Sequence, residues 1–192
     1  GVMELSSPDL DSNLSVYILK LDASGEFAWA GMIEPVKIGD AEGNMNADQR
    51  LSIEADGDGN VITTGLFQGP LDLDPGPEVS VHMGGVDAFY VCKLNSDGNL
   101  VWAKSLDTGI YSACIGVDDG GNSYLAGHTF DFEINQAPYP RPPAGGPHLF
   151  IAKLDADGDI EWVKFTMRDE MIDENAEVEL FQVTVDSGGN VY

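Results

Sequence analysis

The sequence predicts an all-β protein made of repeated four-stranded antiparallel sheets. Two kinds of hairpin alternate along the chain, and each kind carries its own Gly-containing turn. A pair of hairpins occupies about 60 to 70 residues, and four short strands at this interval are typical of propeller blades. We therefore predict a β-propeller segment of four-stranded antiparallel blades, with two complete blades and two partial ones.

The first kind of hairpin occurs at 16–29, 89–102 and 149–162. Each copy is rich in aromatic and β-branched residues and is split by a polar turn with Gly, which predicts two strands joined by a tight connection. The Asp or Asn that opens the turn can bond to the backbone two residues further on, and Gly accepts a positive φ. A Lys recurs at 20, 93 and 153, and a Trp at 29, 102 and 162.

Four strands follow from these patterns, and we name them a to d in chain order within a blade. Strand a is predicted at 51–56, 113–118 and 181–186; strand b at 61–65, 123–127 and 191–192; strand c at 16–21, 89–94 and 149–154; and strand d carries the Trp. Strand c is apolar on both faces, with Phe89 and Val91 on one and Tyr90 and Cys92 on the other. A strand with this pattern is covered on both sides, so we expect the blades to pack face to face.

The repeats divide the chain into four parts of one propeller domain. Residues 1–31 are predicted to be a partial blade (strands c and d) with an N-terminal lead, 32–106 a blade with a long connecting loop, 107–166 a blade, and 167–192 the start of another. Propellers typically have about 4 to 8 blades. We therefore expect this segment to join remaining blades of a longer chain, or to pair its edges with neighbouring subunits.

Composition excludes several classes of partner. The 192 residues include 33 acidic and 9 basic side chains, for a net charge of −24. Such a surface repels nucleic acid and anionic lipid, and no apolar run approaches the ~20 residues of a membrane span. The first residues have no basic start and no apolar core, so they do not read as a signal peptide. Cys92 and Cys114 are too few for a disulfide scaffold and lack metal-ligand spacing.

The hairpins AFYVCKLNSDGNLVWAK and CIGVDDGGNSYLAG, together with LDLDPG at 71–76, resemble the bacterial β-propeller repeat called SBBP. The resemblance runs from about residue 14 to residue 192. The sequence departs from it where DFEINQAPYP replaces LDLDPG after the second whole blade, and in the long segment after Ala30. The resemblance implies a secreted or cell-surface bacterial protein, often large and multidomain, whose propeller mediates interaction. It implies no single activity and no catalytic residues.

Two pairs of acidic residues are candidate calcium ligands. Asp72 and Asp74, and likewise Asp131 and Glu133, are two residues apart, which puts both carboxylates on one face of an extended segment. Oxygen ligands that converge there suit Ca²⁺. The alternative is a turn entry whose carboxylates face water.

The turns at 56–60 and 155–159 look like the start of an EF-hand loop, but their shared Gly stands at position four instead of six. Position twelve of that loop, which must supply a carboxylate, is Phe67 or Thr166. We therefore interpret these turns as plain hairpin turns.

No phosphate loop, nucleophile elbow or zinc helix motif occurs in the sequence. The three Trp could stack on a carbohydrate, but their identical position in each repeat favours packing between blades. We predict a non-catalytic scaffold that binds protein or glycan through its rim loops, which are predicted at 30–50, 66–85, 131–147 and 168–179. One alternative is a propeller-type hydrolase or lyase with rim acids from Asp40, Asp72, Asp74 or 169–179. The other is a structural subunit of an extracellular fibre or sheath, with blades completed between chains.

Overall fold

The computed structural model describes residues 14–45, 51–106, 110–129, 148–165 and 182–192, apart from the side chains of residues 87, 111 and 112. All regular structure in these ranges is β. The strands are β1 (Val16–Leu21), β2 (Phe27–Pro35), β3 (Lys37–Ile38), β4 (Ala41–Glu42), β5 (Asn44–Met45), β6 (Ser52–Ala55), β7 (Val61–Asp72), β8 (Val81–Leu94), β9 (Leu100–Leu106), β10 (Ile110–Val117), β11 (Ser123–Thr129), β12 (His148–Leu154) and β13 (Ile160–Phe165). No helix capable of crossing a membrane is found among the described residues.

The two complete blades are confirmed as antiparallel meanders. Strands β6, β7, β8 and β9 pair in that order, and so do β10, β11, β12 and β13. Strands β1 and β2 form the c–d hairpin of a partial blade. The last described segment forms an a–b hairpin, in which Val185 bridges Val191 and Thr184 exchanges two backbone hydrogen bonds with Tyr192.

Strand β8 is buried on both faces in its blade half, as its sequence predicts. Phe89 and Val91 pack with residues of the β10–β13 sheet, whereas Tyr90 and Leu94 pack with the β1–β2 hairpin. A third cluster joins Cys114 and Ala126 of the β10–β13 sheet to Val183 of the last hairpin. The four units therefore stack face to face in chain order, and apolar burial between them stabilises each thin sheet.

The repeated Trp joins each blade to the next one. Trp29 Nε1 donates to the carbonyl of Ser96 at 2.9 Å, and Trp102 Nε1 donates to the carbonyl of Ala156 at 2.8 Å. Both acceptors lie in the c–d turn of the following blade. These contacts confirm that Trp29 and Trp102 serve blade-to-blade packing.

The repeated Lys makes a second link of the same kind. Lys20 Nζ donates to the carbonyl of Ser96 at 2.7 Å. Lys93 Nζ lies 3.4 Å from the carbonyl of Gly121 in the next blade and 3.5 Å from a carboxylate oxygen of Asp56 in its own blade. Both side chains of the Lys93–Asp56 pair are buried, so the cation neutralises a carboxylate that is shielded from water while it reaches the neighbouring sheet.

Two of the predicted loops, 30–50 and 66–85, are wrong in part, because strands continue into them. Strand β2 extends to Pro35 and β7 extends to Asp72, and these ends pair through Glu34 with Asp72 and Pro35 with Leu71. Gly69 has φ +75° and the register shifts between Phe67 and Gly69, so a β-bulge allows the pairing of β7 with β8 to continue. The predicted loops at 131–147 and 168–179 lie outside the described residues.

Candidate functional site: the extended β7–β8 hairpin

The outer half of the β7–β8 pair extends beyond its blade, and we call residues 67–86 the extended hairpin. Its strands pair up to Asp72 with Val81, and the Leu73 N–H donates to the carbonyl of Ser80 at 3.0 Å. Leu71 and Leu73 are fully buried and anchor it to the core. The hairpin is therefore a rigid, core-anchored element whose far end reaches solvent.

Asp72 closes the end of this hairpin. Its Oδ1 accepts the backbone N–H of Ser80 at 2.8 Å and that of Asp74 at 3.1 Å, and the residue is only 8% exposed. Asp74 Oδ1 in turn accepts the N–H of Gly76 at 2.8 Å. Asp72 therefore does not simply face water, because its carboxylate satisfies two amides of the turn. This role follows from the return of the chain at Ser80, which sequence spacing does not reveal.

The calcium prediction at Asp72 and Asp74 stays a prediction. Within the described residues, no group of three or more His, Cys, Asp or Glu side chains is arranged to hold a metal. Ca²⁺ takes 6 to 8 oxygen ligands, so these two carboxylates would need backbone carbonyls or water to complete the set. The second predicted pair, Asp131 and Glu133, lies outside the described residues.

His82 lies on the same hairpin and was given no role by its sequence spacing. Its Nε2 is 3.4 Å from Ser80 Oγ, and its Nδ1 is 3.4 Å from Ser105 Oγ on β9. Burial lowers the pKa of His82, and the nearby charge of Asp72 opposes that effect. The ring is therefore a neutral polar link between the extended hairpin and β9 at pH 7.

A groove lies beside the extended hairpin, between Glu42 and Val86. It has a volume of about 540 Å³, and half of the residues that line it are Gly. A Cβ on Gly43 would come 1.9 Å from the carbonyl oxygen of Pro70, and one on Gly69 would come 2.4 Å from that of Glu42. The glycines thus allow β4, β5 and β7 to approach closely.

In the acidic turns, the carboxylate that opens the turn accepts hydrogen bonds from backbone N–H groups of the same turn, as predicted for plain hairpin turns. Asp118 Oδ1 accepts the N–H groups of Gly120 and Asn122, at 2.9 and 3.0 Å. Burial by itself would raise the pKa of Asp118, but hydrogen bonds from Asn122, Tyr124 and Gly120 outweigh it and hold the pKa below its ordinary value. The pKa is also lowered at Asp22, Asp56 and Asp186, which open corresponding turns.

The thiols and the remaining rim acids form no nucleophilic arrangement within the part of the chain that the structure describes. The side chains of Cys92 and Cys114 are both buried. Burial, followed by the charge of Asp74, raises the pKa of Cys92 to about 12. Asp40 lies exposed in the turn between β3 and β4, and the acids at 169–179 lie outside the described residues.

Comparison with known proteins gives one distant repeat relative. No family model matches the chain, so the resemblance to the SBBP repeat stays a prediction. An uncharacterized WD repeat-containing protein of Acanthamoeba polyphaga mimivirus is 23% identical over 181 residues, which cover 78% of this chain and 12% of the relative. The chain thus spans about an eighth of that relative's length. The stacked antiparallel sheets and this relative agree on a propeller-type repeat.

Proposed function

We propose that the chain is a non-catalytic β-propeller scaffold that binds a protein partner through the extended hairpin. One observation carries the proposal. The inner half of β8 is fully buried on both faces, whereas the outer half of the same hairpin exposes Val79, Met83 and Val86 by 72%, 57% and 74%. Several exposed apolar side chains along one rigid element favour an interaction surface.

The chemistry of this surface favours protein over glycan. The exposed side chains are aliphatic or thioether groups, and Val86 also borders the adjacent groove. Glycans are bound chiefly by exposed aromatic rings, but Trp29 and Trp102 are already engaged in contacts between blades. We therefore expect a protein partner, and the experiment below also tests for a glycan ligand.

The electrostatics of the described acids support a scaffold over an enzyme. A general acid needs a pKa near the working pH. The carboxyl groups with shifted pKa values, which include those of Glu42 and Asp118, are all shifted downward by hydrogen bonds or a nearby Lys. These carboxyl groups are ionised at pH 7 and accept hydrogen bonds. The similarity to a WD repeat-containing protein also supports the scaffold role, since such repeats form propeller blades.

We place this scaffold in a secreted or cell-surface bacterial protein. The support is the net charge of −24, which keeps a protein soluble in a salt-rich medium, together with the resemblance to the SBBP repeat. Fractionation of the source cells, with detection by an antibody against the chain, tests this location. Recovery from the cytoplasm alone would contradict it.

The binding proposal is tested with a triple variant, Val79→Ser, Met83→Ser and Val86→Ser. Immobilised wild-type chain is exposed to surface and secreted proteins of the source cells, and retained proteins are identified, purified and titrated individually by calorimetry. We expect the triple variant to weaken binding of such a purified partner by about 30-fold or more, because hot-spot residues dominate interfaces.

The matched control is Val101→Ser, which makes the same change at a side chain that is 53% exposed on β9. We expect it to leave the affinity unchanged. An equal loss of affinity in both variants would contradict the assignment to the extended hairpin. Selective binding to a glycan array without any purified protein partner would contradict the choice of protein.

A further inference from the structure

Strand β8 has two edges, and within the described chain its first part is paired along one edge only. From Val81 to Gly84 it pairs with β7. On the other side, β9 pairs with β8 only from Phe89 onward. Among the described strands, none pairs with this second edge between Val81 and Gly84. We call the second edge of residues 81–83 the free edge.

The alternation of hydrogen bonds shows which backbone groups point to the free edge. The N–H of Leu73 on β7 donates to the carbonyl of Ser80 at 3.0 Å. In an antiparallel pair, every second residue bonds to the same neighbouring strand. Ser80 and His82 therefore direct their backbone groups to β7, whereas Val81 and Met83 direct theirs to the free edge.

Pro70 on β7 agrees with this alternation. It lies opposite Met83, and its ring nitrogen has no hydrogen to donate. Its carbonyl accepts the N–H of Val36 at 3.0 Å, on the side of β7 where the end of β2 lies. The backbone groups of Met83 are therefore not used by β7. Each of Val81 and Met83 presents an N–H and a C=O along the free edge, and these groups suit a short additional strand.

The side chains beside the free edge are apolar. Val81 and Met83 are two residues apart and so lie on the same face of β8, and Val79 precedes them by another two. Val79 and Met83 are exposed, and Val81 is partly exposed. An added strand brings every second side chain to this face, so a segment with apolar residues at alternate positions fits the row.

Charge indicates the remaining chemistry of the segment. Residues 67–86 contain Asp72, Asp74 and Glu78 but no Lys or Arg. Asp72 is occupied by two amides of the turn, whereas Glu78 is exposed beside Val79. With a net charge of −24, the chain attracts a cationic segment and repels both an acidic one and a second copy of itself.

We infer that the partner of the extended hairpin contributes an extended segment that adds to the free edge as a further β-strand. The segment carries apolar side chains at alternate positions and Lys or Arg between them. Backbone hydrogen bonds at Val81 and Met83 hold the strand, while the apolar row and Glu78 select its side chains. The inference rests on the proposed function, because it describes how the partner of that same hairpin is bound.

The synthetic peptide acetyl-KVKVKVK-amide tests the inference on the 192-residue chain. We expect calorimetry to detect its binding at concentrations up to about 1 mM. We also expect hydrogen exchange at the Val81 and Met83 amides, followed by NMR, to slow by about 10-fold or more when the peptide is bound. The same peptide with N-methyl groups on its three central residues keeps the charge but loses those donors, and it should not slow the exchange. The acidic peptide acetyl-EVEVEVE-amide should not bind.

The variant Met83→Pro tests the edge from the side of the protein. It removes one donor of the free edge and spares the pairing with β7, because that N–H does not point to β7. We expect it to weaken binding of acetyl-KVKVKVK-amide by about 10-fold or more, since the opposite acceptor loses its hydrogen bond. The matched control is Met83→Ala, which shortens the side chain but keeps the N–H, and its loss should be smaller. Circular dichroism and slow exchange at the Ser80 amide report whether Met83→Pro is folded.

Three results would overturn the inference: no binding of acetyl-KVKVKVK-amide, equal binding of its N-methylated form, or equal affinities in Met83→Pro and Met83→Ala. Equal binding of the acidic peptide would overturn the basic chemistry of the segment. Any of these results leaves the proposed function in place if the triple serine variant still loses affinity for a purified protein partner. A triple variant that keeps full affinity for that partner contradicts the proposed function itself.

Discussion

Trp102 and Gly158 are 56 positions apart in the chain, but the indole ring of the first lies directly on the second. Gly158 has φ +79° and closes a turn in which its N–H donates to the carbonyl of Asp155 at 3.0 Å. A Cβ at this position would lie 2.8 Å from the ring. The backbone of the turn is therefore part of the contact between two blades. Gly158 is required both for the positive φ of the turn and for the close packing of Trp102.

We predict that Gly158→Ala destabilises the fold by about 2 to 5 kcal/mol. The left-handed conformation costs a residue with a Cβ about 1 to 2 kcal/mol, and the overlap with Trp102 adds about 1 to 3 kcal/mol of overpacking. Urea unfolding followed by circular dichroism measures the change. The matched control is Gly59→Ala, at φ +78°, where a Cβ would find its nearest neighbour 3.6 Å away. Gly59→Ala should show only the cost of the left-handed conformation. An equal loss of stability in Gly59→Ala and Gly158→Ala would contradict a packing role for Trp102.

We predict that stability falls as the pH drops below about 4 and that Asp118→Asn reduces this dependence. The pKa of Asp118 is lowered in the folded state from an ordinary value of 3.8, so its contribution is present above that value and is lost as the pH falls through the folded-state pKa. The pKa of Asp186 is lowered to about 2, so the pH range over which stability is lost extends down to about that value. Urea midpoints at pH 2.5 to 7 measure the effect.

Asn is a suitable replacement because Asn95 already opens an equivalent turn, where its Oδ1 accepts the N–H groups of Asp97 and Asn99. The turn should therefore persist without its charge. An identical pH dependence in wild type and Asp118→Asn would show that this carboxylate contributes nothing to acid unfolding.

We predict that Asp72→Ala destabilises the extended hairpin by about 1 to 3 kcal/mol, because two amides lose the carboxylate that accepts them in a buried site. Hydrogen exchange at the Ser80 amide reports the local opening. Asp74→Ala, which removes the acceptor of a single amide, should have a smaller effect at Ser80. Exchange at Ser80 that is unchanged by Asp72→Ala would contradict the closing role of this carboxylate.

A substitution at Asp74 also decides the calcium prediction. A ligand that binds only the folded state raises its stability by about 2.7 kcal/mol at 100 times its dissociation constant. A site at Asp72 and Asp74 therefore requires a melting temperature that rises with CaCl₂ and falls back with chelator, and this response must disappear in Asp74→Asn. A melting temperature that is independent of Ca²⁺ and chelator removes the metal from this hairpin.

We predict that Cys92 reacts with thiol reagents only when the fold opens. The side chain is fully buried, and its pKa of about 12 leaves almost no thiolate at pH 8. In the variant Cys114→Ala, labelling by a chromogenic disulfide should be about 100-fold slower, or more, than in the urea-unfolded chain. Rapid labelling of the folded variant would contradict the packing of β8 against the first hairpin.

The repeat pattern predicted most of the blade architecture but not its extension. Both faces of 89–94 are apolar, and this feature correctly indicated a strand between two sheets. The same repeat pattern placed 66–85 in a rim loop, whereas the structure continues β7 and β8 into this segment. Whether a Gly ends a ladder or forms a bulge depends on the strand beside it, and here β5 and the end of β2 lie against β7.

Only some residues of the candidate site could be predicted from the sequence. Asp72 stood out because of its spacing from Asp74, but its bond to Ser80 depends on where the chain returns. His82 carried no spacing signal, and only the pairing of β7, β8 and β9 places it between Ser80 and Ser105. The sequence placed Val79 and Met83 in a predicted rim loop, but only the structure shows that these side chains and Val86 are exposed along a paired hairpin.

By itself, the sequence determined the repeated sheets, the turns that close them and the Trp and Lys that each repeat presents. These features are local, because the period of apolar residues and the backbone needs of Gly and Asp act within a few positions. Tertiary structure alone decided which turn receives which Trp and which acid closes the extended hairpin. It also decided which apolar faces stay open, because these depend on surfaces that meet only after the chain has stacked one sheet on another.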